Sequence, residues 1–156
     1  MDTGVLYYKK FERKVLVSDY LEWAICMVHK GMSAPSLNVL VSLTEPLNIF
    51  EVEEYFNRAL NELAIAEPTY EESVKHYVYY LLSQIIKNES KAIENAYEIY
   101  TIGYEDTHDE EQAGWYEISE MIDDFLYGDN INNITRDSLH QVIVRESKRH
   151  LINQFL

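Results

Sequence analysis

A chain of 156 residues with 27 Asp and Glu against 13 Lys and Arg carries a formal charge of -14, so a phosphate backbone meets no basic face and a nucleic-acid partner is not expected. Apolar residues make up 47%, enough for a packed core and too many for a disordered tail. The single cysteine, Cys26, excludes an intramolecular disulfide and a zinc site built from several cysteines. No apolar run reaches the roughly 18 residues of a membrane span.

Residues 1–17 mix Val5, Leu6, Tyr7, Tyr8 and Phe11 with Lys9, Lys10, Arg13 and Lys14. The Tyr7/Phe11 spacing favours a helix, although Val15-Leu16-Val17 would suit a strand. Ser18 is the expected cap of a helix to about His29, with Leu21, Ala24, Ile25 and Val28 as its core stripe and Cys26 in the core. Gly31 stops it. Pro35 sits in the first turn of a short helix whose Leu37, Leu40, Val41 and Leu43 face inward, and Pro46 closes that element. Asn48, with Glu51 three residues on, opens a helix from Ile49 to about Ala66. Its stripe is Val52, Phe56, Ala59, Leu60 and Leu63, and Glu54 with Arg58 is a favourable i,i+4 pair.

Thr69 and Glu72 form a capping box for a helix to about Lys87. Val74, Tyr77, Val78, Leu81, Leu82, Ile85 and Ile86 cover more than half its circumference, which predicts a central helix. Ser90 opens the next, with Ile93, Ala96, Tyr97 and Tyr100 inward and Gly103 as its stop. Thr107 with Glu110 caps a helix to about Tyr127, and Gly128 ends it. The polar, Asn-rich stretch 128–134 reads as a loop. Thr135 caps the last helix, which runs nearly to Leu156 with Leu139, Val142, Ile143 and Leu151 on its apolar side.

The fold expected is all-α: one domain over 1–156, of six or seven antiparallel helices joined by short loops. Val52, Tyr55, Phe56, Leu60, Leu63 echoes Val74, Tyr77, Val78, Leu82, Ile85, which also allows stacked helical hairpins. The start, Met1-Asp2-Thr3, is not basic and no long apolar run follows, so no signal peptide is expected and the cytoplasm is the expected compartment.

Residues 101–133 hold ten carboxylates and no Lys or Arg, with Tyr104, Trp115, Tyr116 and Tyr127 among them. Trp115, Ile118, Ile122 and Phe125 fall on one helix face and Glu117, Glu120 and Asp124 on another. Like charges three and four residues apart cost a few tenths of a kcal/mol each. The acidic face suits either plain solvation of an acidic protein or a contact face for a basic protein. In the second case Tyr104, Tyr116, Glu117, Glu120, Asp124 and Tyr127 are its expected members, with tyrosines as anchors and carboxylates speeding encounter. A self-association surface is the alternative use of exposed aromatic groups, giving a homodimer. Glu72 with His76 and Asp137 with His140 have helical metal-ligand spacing, but both lie near helix starts where carboxylates are favoured anyway. No metal and no cofactor is expected. There is no phosphate loop, nucleophile elbow or HExxH.

Two resemblances follow. Arg145 and His150, with four residues between them in an all-helical chain, resemble the Arg–His signature of the HEPN ribonuclease superfamily. That resemblance implies RNA cleavage by a pair meeting across a dimer. Glu146 departs from the Asn, Asp or His that commonly follows the Arg. Separately, Leu21 to Leu63 (Trp23, the Gly31 stop, the Ser33–Leu43 helix, Glu51-Val52-Glu53) looks like small bacterial helical proteins beside polymorphic toxins. It implies a non-enzymatic immunity protein that neutralises a toxin by binding it.

Overall fold

The computed structural model describes residues 1–106 and 110–153, and for residues 89, 104–106, 110–112 and 153 it describes the backbone only. The chain is all-α. Among the described residues it forms α1 (Thr3–Phe11), α2 (Val17–His29), α3 (Pro35–Ser42), α4 (Ile49–Glu62), α5 (Tyr70–Lys87), α6 (Ala92–Asp106), α7 (Glu110–Tyr127) and α8 (Arg136–Asn153), with a 3₁₀ turn at Glu89–Lys91. The count exceeds the expected six or seven because residues 3–11 make a helix of their own. None of these helices is long and apolar enough to cross a membrane. The chain gathers into two compact units, Met1–Tyr77 and Val78–Leu156.

In the first unit α2, α3 and α4 pack on one another and α1 packs on α2. Asp2 caps α1 by accepting from the Val5 amide at 2.9 Å. The core of the unit holds Leu6, Tyr7, Tyr20, Trp23, Leu37, Leu40, Val52, Phe56 and Leu60. The stripe expected for α2 is corrected: Tyr20, Trp23, Ala24 and Met27 are buried, while Ile25 and Val28 are 48% and 39% exposed. Tyr20 and Trp23 carry more apolar area than Ile25 and Val28, so burying that face gains more. Cys26 is half-buried rather than in the core. Val41 of α3, also expected inside, is exposed.

The start of α2 differs too. Leu16, not Ser18, is its N-cap. Asp19 reaches back to accept from the Leu16 amide at 2.8 Å and from Lys9 Nζ at 2.6 Å. Those two partners are what permit a carboxylate to be buried there. A second ionic node joins α1, α2 and α4. Lys10 Nζ lies 2.9 Å from Glu53 and 5.1 and 5.3 Å from the ring centres of Tyr7 and Phe56, and the Tyr20 hydroxyl donates to the same carboxylate at 3.1 Å. The Lys10 hydrogen bond holds the Glu53 carboxyl below its usual range. Burial, with Glu53 adding to it, pushes the Tyr20 hydroxyl well above its own.

Asn48 caps α4 and the Thr69–Glu72 box forms at the start of α5. Asn48 accepts from the Phe50 amide at 2.9 Å. The Thr69 amide donates to Glu72 at 2.8 Å and Thr69 Oγ1 accepts from the Glu72 amide at 3.2 Å. Arg58 pairs with Glu54. The first two turns of α5 lie along α1, with Tyr77 stacked on Tyr8 at 4.1 Å and Tyr70 edge-on to Phe11 at 5.6 Å. His76 Nδ1 lies 3.2 Å from Asp2.

In the second unit α6, α7 and α8 pack on one another. Buried there are Leu81, Leu82 and Ile85 of α5, Ala92, Ala96 and Ile99 of α6, Trp115, Ile118 and Ile122 of α7, and Leu139 and Ile143 of α8. Gly103 does not stop α6, which continues to Asp106. The expected Thr107–Glu110 box lies outside the described residues. Gly128 does close α7, its amide donating to the carbonyls of Asp123 and Asp124 at 3.1 Å each. The left-handed residues of the following loop are Asn130 (φ 46°) and Asn133 (φ 50°). Asn130 brackets Ile134, accepting from its amide at 2.7 Å and donating to its carbonyl at 2.9 Å. Thr135 then caps α8, paired with Ser138 as amide donor at 3.1 Å.

Candidate interaction surface on α6 and α7

A helix turns about 100° per residue, so Tyr116, Glu117, Glu120, Asp124 and Tyr127 share an arc of about 100° on α7. The opposite side of α7 is Trp115, Ile118 and Ile122, all buried. The apolar side of α7 is therefore packed and its acidic side faces solvent. Tyr116 is 51% exposed and Tyr127 84%. Glu117, Glu120 and Asp123 are exposed as well. Among the described residues no Lys or Arg pairs with Glu117 or Glu120. The side chain of Tyr104, the sixth expected member, lies outside the described residues.

Asp124 is placed differently from its neighbours. It is half-buried, and its Oδ1 accepts from the Asn130 amide at 3.1 Å. It holds the loop after α7 in place as well as contributing charge to the surface.

The arc continues onto α6. The Tyr100 ring centre lies 6.1 Å from Tyr97 and 6.2 Å from Tyr116, each pair tilted by 59°. Tyr97, expected to point inward, is 44% exposed. The small residues Ala92 and Ala96 recur at four-residue spacing with Ile99 three further on, and that stripe takes the packed side. The recurrence of Ala in a Tyr-rich helix was the signal that would have assigned the tyrosines to the outside.

Arg145 and His150 do not share a setting. His150 is 8% exposed, and the Trp115 indole N–H donates to its Nδ1 at 3.1 Å. An indole can only donate, so Nδ1 is the acceptor, and in the neutral ring the proton sits on Nε2. Arg145 is exposed on a shallow groove of about 510 Å³, lined also by Asp137, His140, Gln141, Val144 and Lys148. Five residues of helix put the two side chains about 140° apart, so one copy of the chain does not join them.

Among the described residues no three His, Cys, Asp or Glu side chains gather at metal-binding distance. Glu72 is held by Thr69, and His76 faces Asp2. His140 lies along the groove with Asp137, and its buried Nε2 has no hydrogen-bond partner among the described residues. No protein-family model, curated protein or solved structure matches the chain.

Proposed function

We propose that this chain is a non-enzymatic protein-recognition module, of the immunity type, that receives a basic partner on the outer face of α7. The observation that carries the reading is the arc from Tyr116 to Tyr127. Among the described residues its exposed carboxylates Glu117 and Glu120 pair with no Lys or Arg, and two exposed tyrosines bracket them. Repulsion among Glu117, Glu120 and Asp123 is offset by no Lys or Arg ion pair among the described residues, so a positive surface laid over them removes it and gains attraction besides. A basic toxin domain in the bacterial cytoplasm has that character. The His150 ring, buried against Trp115, gives a ribonuclease reading no support of its own.

The test is capture of the partner from the native host with wild-type chain and with Glu117→Arg/Glu120→Arg, in low and high salt. The reading expects a basic protein retained by the wild type, lost on charge reversal and weakened by salt. A partner held equally by both forms would sink the assignment to α7. A toxin gene beside this one would fix the class of partner.

A further inference from the structure

Tyr97, Tyr100 and Tyr116 form a continuous run of rings from α6 to α7, and its two ends are about half exposed. A tilted run of tyrosines presents ring faces that carry negative charge density, and such faces attract cations. Carboxylates stand alongside. Glu120 lies one turn after Tyr116 on the same side of α7, and Glu94 lies one turn before Tyr97 on α6. Both are exposed, and neither is paired with a Lys or Arg among the described residues.

We infer that this tyrosine run is the anchoring platform for arginine side chains of the partner, an inference that rests on the recognition reading above. A guanidinium is planar and weakly hydrated. It can lie on a ring while its edge N–H groups donate to a neighbouring carboxylate. A lysine ammonium is a compact, strongly hydrated charge that gains less from the ring. Charge alone would treat the two alike, so the rings add a chemical preference that the carboxylates do not.

Two synthetic peptides of equal length, one carrying six spaced arginines and the other six lysines, are titrated into the full chain by calorimetry. The arginine peptide is expected to bind more tightly by about two- to five-fold for each ring engaged. Tyr97→Leu and Tyr116→Leu abolish the preference and leave the lysine peptide unchanged, while Tyr97→Phe and Tyr116→Phe keep it. The two end positions give independent readings, so a leucine variant that melts early is replaced by the other. Glu117→Gln/Glu120→Gln weakens both peptides together. Equal affinity for the two peptides, or a preference that survives both leucine substitutions, overturns the platform and leaves the acidic face standing. Peptide affinities unmoved by Glu117→Gln/Glu120→Gln overturn the acidic face instead. Failure of both peptides to bind overturns the two together.

Discussion

Gly4 sits where α1 passes His76. A Cβ at this position would lie 2.4, 2.6 and 2.7 Å from His76 Cγ, Cβ and Cδ2, against an ordinary carbon–carbon contact of roughly 3.5–4.0 Å. The imidazole could rotate away, since it is half exposed and its hydrogen bond is to the comparably exposed Asp2. Its Cβ cannot, because the α5 backbone fixes it, so α1 and the start of α5 must part. Overpacking of this kind costs about 1–3 kcal/mol. Alanine recovers up to about 1 kcal/mol through helix propensity. Gly4→Ala should therefore destabilise the first unit by about 1–2 kcal/mol, read as a lower urea midpoint by circular dichroism at unchanged slope. His76→Gly removes all three contacting atoms, and its own propensity cost of about 1 kcal/mol cancels in a double-mutant cycle. The cycle should return a coupling of about 1 kcal/mol or more. A Gly4→Ala chain as stable as the wild type, or strictly additive costs, would refute the close approach.

Stability should fall in acid. Lys10 holds Glu53 low, and the backbone amides of Ser36 and Thr69 hold Glu62 and Glu72 below the ordinary 4.5. A folded-state pKa below the unfolded one gives stability that is complete above the unfolded value and is lost as pH drops through the folded one. Thermal melts should therefore decline below about pH 4.5, and less steeply in Glu62→Gln; a curve of unchanged shape in that variant would contradict the assignment. Asn130→Ala removes two hydrogen bonds to Ile134 and leaves at φ 46° a residue without the polar side chain that lets Asn tolerate the left-handed region, for a loss of about 2–3 kcal/mol in chemical denaturation. Asn130→Gly should recover the backbone part and no more. His150→Leu strands the buried Trp115 N–H and should cost about 1–3 kcal/mol, whereas exposed Arg145→Ala should stay within about 0.5 kcal/mol. The reverse order in denaturation midpoints would mean that the two residues had been assigned to the wrong environments.

The parts of the chain that could be read beforehand are those where one local signal dominates. Asn48, Thr69 with Glu72, Pro35 and Thr135 mark helix starts because a side chain or a missing N–H answers an otherwise unsatisfied amide within three residues. The stripe of α4 and the two sides of α7 were legible because each helix is charged on one side and aliphatic on the other. Helix α2 was not. Tyr20, Leu21, Trp23, Ala24, Ile25, Cys26, Met27 and Val28 leave almost no polar side, so periodicity could not choose a face and side-chain size did. On α6 the apolar bodies of the tyrosines suggest a core position, while packing against α7 and α8 takes Ala92, Ala96 and Ile99 instead. Glycine often ends helices, which makes Gly103 read as a stop, yet α6 runs through it to Asp106. The exposed acidic face of α7 was legible in its composition. Its extension to Tyr97 and the structural duty of Asp124 both depend on neighbours distant in sequence, which no local pattern encodes.

The chain has two tryptophans, and each compact unit contains one. Both are buried, and each indole N–H is committed: Trp23 donates to Thr3 Oγ1 at 3.0 Å and Trp115 to the His150 ring. The protein thus carries two native optical reporters in chemically different cages, a hydroxyl for one and an imidazole for the other. Emission from Trp23 follows the dissolution of Met1–Tyr77, and emission from Trp115 follows Val78–Leu156. With either indole replaced by phenylalanine, the remaining one tracks its own half without an added label. Coincident curves would identify a single cooperative transition and separated curves two independent ones.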